Sequence, residues 1–402
     1  MNGRTLVALV AAAVGLVALA IGSHLASRPG GHLPGAVVAE GLLRLTLAAD
    51  PIFVSFFGVR FEAALTPLLW PLYRWAAQYA YPDVDIYEHG LGATASDGHS
   101  IPILRFQRKD VGRLDDHQLS PAIIYLHGGG FVLGSPKLFA ELLAQLAHDS
   151  GFVVFGVDYR LAPGAKFPVP TTDGLAAVTH IALHAHSLGV DETRIAVMGD
   201  SAGGLMTASL AIHFRDFPLQ LQPDGQPARL FRMWQQVLIN PPTSSLAGLE
   251  PTESKTRLHN AMVIPDVVLE QFFSTYLASI TCRLPRAATP CVDVNETESW
   301  LSRHLYLLAP GELADRNAPS DSPSSVQAKL HSLPPAFVLV AEYDPLRDEG
   351  LDYARQLALA GSAVTLVDAE GLSHSFVMTP QWFGARGVQF VRDISAYLTS
   401  QL

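Results

Sequence analysis

From residue 84 onward the chain alternates two hydrophobic patterns. Short apolar runs fall at 122–126, 152–157, 194–198, 336–340 and 364–367. Between and after them come stretches of helical period at 139–148, 174–187, 205–214, 350–360 and 389–400. Runs of about five residues that are mostly apolar, without strict alternation, predict strands buried on both faces. Strands spaced by helical segments predict a mostly parallel sheet covered by helices on both sides, an α/β architecture. In such sheets ligands bind beyond the carboxyl ends of the strands, so the residues after each run are the first place to look for chemistry.

The N-terminal part has a different pattern. Residues 5–22 are uncharged and apolar. Eighteen residues at about 1.5 Å each barely cross a ~30 Å hydrocarbon layer. The preferred expectation for 1–26 is a single-pass anchor that leaves the body on the lumenal or extracytoplasmic side of a membrane. The alternatives are a signal cleaved near 18–20, giving a secreted protein, and a buried core helix. Residues 27–35 are rich in Gly and Pro and read as a linker. Residues 52–81 are dense in aromatics and read as two amphipathic helices interrupted at Pro67 and Pro71, completing a second segment over 27–83. These helices are expected to pack as a lid over the main domain at 84–402, with a membrane-facing entry for apolar substrate as the sharper reading.

Composition narrows the function. Of 402 residues, 49% are hydrophobic and 16% charged, which excludes wholesale disorder. The net charge is −10 and no basic patch marks a nucleic-acid partner. Two cysteines, Cys282 and Cys291, are too few for a disulfide framework, although in an oxidising compartment they can close one short loop. Asn295 heads an Asn-Glu-Thr glycosylation acceptor sequence. His180, His184 and His186 are close together but lack an acidic partner, and read as surface histidines rather than metal ligands.

The residues just past the strands point to nucleophilic chemistry. After 194–198 comes Gly199-Asp200-Ser201-Ala202-Gly203-Gly204 and then a helix. This is G-x-S-x-G in the strand–turn–helix context it requires, with Ser201 lifted to a helix N-terminus. After 122–126 comes His127-Gly128-Gly129-Gly130-Phe131. Successive glycines bare their backbone N–H groups, as an oxyanion hole demands, and Gly129, Gly130 and Ala202 are the expected donors. Gly128, Asp200 and His127 are expected to support them, with His127 fixing the loop rather than acting as a base.

Past the strand at 336–340 lies Asp344, with Glu342 and Asp348 as rival acids, and past 364–367 lies His374. The order Ser201, Asp344, His374 is that of α/β-hydrolases. A neutral hydroxyl needs a base near pKa ~6.5, and that imidazole needs a carboxylate to fix its tautomer.

The segments HGGGF (127–131), DYRLAPGAKFPVP (158–170), GDSAGG (199–204), LPPAFVLVAEYDPLRDEG (333–350) and EGLSHSF (370–376) together resemble the hormone-sensitive lipase-like family of carboxylesterases, which includes arylacetamide deacetylases. The resemblance implies an α/β-hydrolase sheet with a helical lid, part of it an insertion at about 242–310. It also implies metal-free, cofactor-independent hydrolysis of apolar esters or amides through an acyl-enzyme, with the same triad and oxyanion donors. An anchor before such a body is similar to the membrane-bound deacetylase branch, whose catalytic domains face the ER lumen. A serine peptidase of the same fold and a non-catalytic binding protein on a hydrolase fold are the competing expectations. The presence of His374 weighs against the second.

Overall fold

The computed structural model describes residues 61–111, 119–222, 228–243, 252–277 except 260, 262, 263 and 265, and 329–402 except 375 and 379. The anchor segment, the linker, Cys282, Cys291 and Asn295 lie outside the described residues.

The first described element is a single helix, α1 (Phe61–Ala80), with both Pro67 and Pro71 inside it. The expected interruption does not occur. The two prolines are four residues apart and both are exposed, on the outward face. Water can take up the carbonyls that lose their partners there. Trp70 and Ala77, one heptad apart on the inward side, are buried in one cluster with Leu142, Leu143 and Leu146.

The strands β1 (Val84–Tyr87), β2 (Gly92–Thr94) and β3 (Ser100–Arg108) precede β4 (Ser120–Leu126). Next come α2 (Ala140–Ser150), β5 (Val153–Val157), α3 (Val169–Leu183), β6 (Val190–Asp200) and α4 (Ala202–Asp216). After the small pair β7 (Gln220–Leu221) and β8 (Arg229–Leu230) come β9 (Gln235–Ile239) and two helices, α5 (Glu253–Arg257) and α6 (Asp266–Tyr276). The chain closes with β10 (Ala336–Tyr343), α7 (Arg347–Leu359), β11 (Val364–Ser373) and α8 (Gly384–Ser400).

The main sheet runs β1-β3-β5-β4-β6-β9-β10-β11, with β2 paired to β3. From β5 to β11 every pairing is parallel, and the antiparallel pairs of this sheet are confined to the β1, β2, β3 edge. The alternation of side chains along β4 shows how both faces are filled. Ala122, Ile124 and Leu126 enter one buried cluster with α3 and α4, while Ile123 and Tyr125 enter another with α2 and α8. This is the α/β-hydrolase arrangement, mostly parallel with helices on both faces.

The expected strands are all present, and β4, β6, β10 and β11 run longer than their predicted runs. β11 is not buried on both faces as expected: it ends the sheet, and Thr365 and Leu366 are exposed there. One central strand, β9, is not apparent from the sequence pattern. Its first two residues are glutamines, both buried. Tyr397 donates its hydroxyl to the Gln235 side-chain oxygen at 2.7 Å, and Tyr353 donates to that of Gln236 at 3.1 Å. Such pairing removes the usual penalty for burying an amide.

Candidate active site

Ser201 stands between the end of β6 and the start of α4 with φ 50° and ψ −121°. A non-glycine residue held there is strained, and the surrounding turn must enforce it. The enforcement is steric and polar. The Ser201 N–H donates to the Ile239 carbonyl at 2.8 Å. A Cβ on Gly203 would come within 1.8 Å of the Leu126 carbonyl oxygen, so only glycine lets α4 start this close to the end of β4.

Three strand ends bring the chemistry to that serine. His374 comes directly after β11, and its Nε2 lies 2.9 Å from the Ser201 Oγ. Its Nδ1 lies 2.7 Å from Asp344 Oδ2, and the other Asp344 oxygen accepts the Leu346 N–H at 2.8 Å. With Asp344 fully buried and accepting, Nδ1 carries the proton and Nε2 is free to receive the serine's. Of the rival acids, Glu342 instead accepts from the Gly371 N–H, and Asp348 accepts from the Ser254 N–H. Burial alone would pull the His374 pKa down. The charge and hydrogen bond of Asp344, with a further contribution from Asp200, outweigh it, and the net shift is upward from 6.5.

The glycine loop after β4 sits beside the same hydroxyl-bearing turn. The N–H groups of Val132 and Leu133 both fold back onto the Gly129 carbonyl. Among the described residues no backbone carbonyl accepts from the N–H of Gly129 or Gly130. Ala202, the first residue of α4, also has its N–H outside the helix ladder. Gly128 donates its N–H to Asp200 Oδ1 at 2.7 Å, and Tyr125 donates its hydroxyl to the same oxygen at 2.5 Å. Burial pushes the Asp200 carboxyl up to about 6, against the opposing effects of Tyr125, His374 and Gly128.

His127 is fully buried and stacks on Tyr159 at 4.1 Å. Its Nδ1 donates to the Gly128 carbonyl at 2.8 Å, and the Tyr159 hydroxyl donates to the His127 carbonyl at 2.6 Å. Burial lowers its pKa to about 4, so it is neutral and braces the loop. On α3 and just past its end, the rings of His180 and His184 stack at 4.3 Å, and among the described residues no cluster of His, Cys, Asp and Glu could hold a metal ion.

Residues that the sequence did not single out complete the frame. Asn240, just past β9 and at φ 47°, donates its side-chain amide to the His374 carbonyl at 2.9 Å and accepts the Ala341 N–H at 2.8 Å. It ties the histidine loop to β10. Its place immediately after an apolar run is the signal that could have found it, hidden because β9 opens on two glutamines. Lys255 on α5 meets Glu349 on α7 at 2.5 Å with both side chains buried. Nearby, Ser254 Oγ donates to the Pro345 carbonyl at 2.7 Å, one residue past Asp344.

Known proteins share this fold. The sequence pattern of the alpha/beta hydrolase fold family matches residues 123–302 and 286–378. The chain belongs to this family. It is 33% identical to an ethyl acetate hydrolase of Pseudomonas putida, over 71% of this chain and 74% of that one. It is 31% identical to the human arylacetamide deacetylase-like 2, over 64% of this chain and 69% of that one. Among solved structures, an esterase of Pyrobaculum calidifontis superposes with a TM-score of 0.60 at 28% identity, covering 88% of this chain and 97% of that one. The resemblance to the hormone-sensitive lipase-like carboxylesterases thus holds, and the chain is an α/β-hydrolase of the carboxylic ester hydrolase class.

Proposed function

We propose that the protein hydrolyses apolar carboxylic esters, with aryl amides and lipid esters as related substrates, through an acyl-enzyme on Ser201. The observation that carries this is the unbroken chain from Ser201 Oγ through His374 to Asp344, with contacts of 2.9 and 2.7 Å.

In the first half-reaction the Ser201 oxygen attacks the ester carbonyl carbon as its proton moves to His374 Nε2. The carbonyl oxygen becomes an anion that accepts from the N–H groups of Gly129, Gly130 and Ala202, helped by the positive end of α4. Asp344 stabilises the imidazolium and holds its orientation. The tetrahedral adduct collapses, the C–O bond to the alcohol breaks, and the leaving oxygen takes the proton back from Nε2. In the second half, water loses a proton to Nε2 and attacks the acyl carbon. Collapse releases the carboxylic acid and restores the serine hydroxyl.

An apolar substrate is supported by the side chains around the glycine loop. Phe131, Val132, Leu133 and Phe272 are all buried there. Two relatives carry an acetyl group in their names, the ethyl acetate hydrolase and the arylacetamide deacetylase-like protein, which supports an acetyl or similarly short acyl chain. Treatment with a fluorophosphonate probe is expected to label Ser201 covalently. Ser201→Ala is expected to lose both labelling and turnover of p-nitrophenyl acetate. Undiminished turnover in that variant would reject the mechanism.

The N-terminal apolar run at 5–22 supports a further part of the proposal: a single-pass membrane attachment with the catalytic domain on the lumenal or extracytoplasmic side. Full-length protein should stay with membranes after alkaline carbonate extraction, and protein lacking residues 1–26 should not. Release of the full chain by carbonate would favour the secreted form.

A further inference from the structure

Three glycines in succession leave a loop with large backbone freedom, and a floppy donor array stabilises an oxyanion poorly. Something must hold it. On one side the Asp200 carboxylate grips the Gly128 N–H. The other side is held by the chain segment beyond β9.

Helix α6 presents Leu269, Phe272 and Tyr276 on one buried face, at the i, i+3, i+7 spacing, while the residues between them are more exposed. Each of the three meets a different part of the site's frame. Leu269 packs with Ile264 and with Leu346, the residue whose N–H holds Asp344 Oδ1. Tyr276 stacks flat on Phe131, with centroids 3.9 Å apart and planes at 11°. Its hydroxyl lies 3.3 Å from Thr171 Oγ1. Phe272 packs with Val132, Leu133 and Ala162, and its ring lies directly against Gly130. A Cβ built on Gly130 would fall 2.3 Å from a ring carbon of Phe272, and this glycine sits at φ 62°.

We infer that Phe272 is a positioning residue of the glycine loop, pressing Gly130 into the conformation that aims its N–H and that of Gly129 at the reacting oxygen. The helix over the site therefore contributes to rate as well as to substrate fit. Because the same helix face also packs on Leu346, the oxyanion loop and the loop of the catalytic acid share one brace. This inference rests on the reading of Gly129 and Gly130 as oxyanion donors.

The test is a kinetic comparison of Phe272→Ala and Phe272→Leu with wild type on p-nitrophenyl acetate and p-nitrophenyl hexanoate. The alanine variant is expected to lose at least about ten-fold in kcat on both esters, with KM within about three-fold. Deleting an oxyanion donor outright costs about 10²- to 10³-fold, so a loosened loop should fall short of that. Inhibition by an aryl trifluoromethyl ketone, which forms a tetrahedral adduct with the serine, should weaken by a comparable factor. The leucine variant keeps apolar contact with Gly130 and should stay within about three-fold of wild type.

The acid limb of the pH profile should not move in either variant, because the His374 contacts are untouched. If the alanine variant does not fold, Phe272→Val serves in its place, with kcat falling below that of the leucine variant. An unchanged kcat on the acetyl ester, with only KM or chain-length preference altered, would overturn the inference and leave Phe272 a wall of the pocket. Turnover surviving in Ser201→Ala would instead defeat the reading of the site itself.

Discussion

Asp344 Oδ2 stands 2.7 Å from His374 Nδ1 across 30 residues of chain, at the ends of two adjacent parallel strands. The contact leaves Nε2 unprotonated toward Ser201. Asp344→Asn keeps the shape but can turn its amide toward Nδ1, which then favours the wrong tautomer. Steady-state kinetics should show kcat reduced by roughly 10³- to 10⁴-fold with a modest change in KM. A loss under ten-fold would mean that another acid orients the imidazole.

The pH profile rests on the direction of the His374 shift. Burial opposes the charged ring, but Asp344 and Asp200 overcome it and raise the pKa above 6.5. The base must be neutral to accept the serine proton. The acid limb of kcat/KM should therefore have its midpoint above pH 6.5, with activity falling as pH drops through it. Initial rates measured between about pH 5 and 9 decide this, and a midpoint below 6.5 would contradict the contact geometry.

Asp200 offers a separable test. Asp200→Asn removes one of the charges that raise His374, so the acid limb should move to lower pH. The plateau should also fall several-fold, because a neutral amide accepts less strongly from the Gly128 N–H and the Tyr125 hydroxyl than a carboxylate does. Stability shows the same group with its own sign. A carboxyl raised from 3.8 to about 6 in the fold disfavours the native state once ionised, so wild type loses stability as pH rises through that interval. Urea unfolding of Asp200→Asn should lack this part of the slope.

The buried pair of Lys255 and Glu349 joins the segment after β9 to the helix beyond Asp344. Lys255→Met strands a carboxylate in the interior and should cost about 3–5 kcal/mol in chemical denaturation. Lys255→Met with Glu349→Leu removes both charges and should recover most of that loss. A single variant as stable as wild type would show that water reaches the site.

Much of this protein is legible before any coordinates. Runs of about five apolar residues read as strands buried on both faces, as β4, β5 and β10 are along 122–126, 153–157 and 336–340, whereas the run at 364–367 falls on the edge strand β11, where Thr365 and Leu366 are exposed. Because ligands gather at strand ends, Ser201, Asp344, His374 and the glycine loop stood out by position. The order of the three residues along the chain did the rest.

The features hidden from the sequence depend on partners far away in the chain. Gln235 and Gln236 look like surface residues until Tyr397 and Tyr353 arrive to pair them, so β9 and the Asn240 beyond it were invisible. Glu342, Asp344 and Asp348 are equivalent carboxylates on paper; only the placement of β11 beside β10 gives His374 to one of them. Periodicity shows that residues 269, 272 and 276 share an apolar face, but not that this face meets Gly130 and Phe131. Local patterns record what each segment must bury. Which segment buries it is decided by packing, through contacts that no stretch of sequence contains by itself.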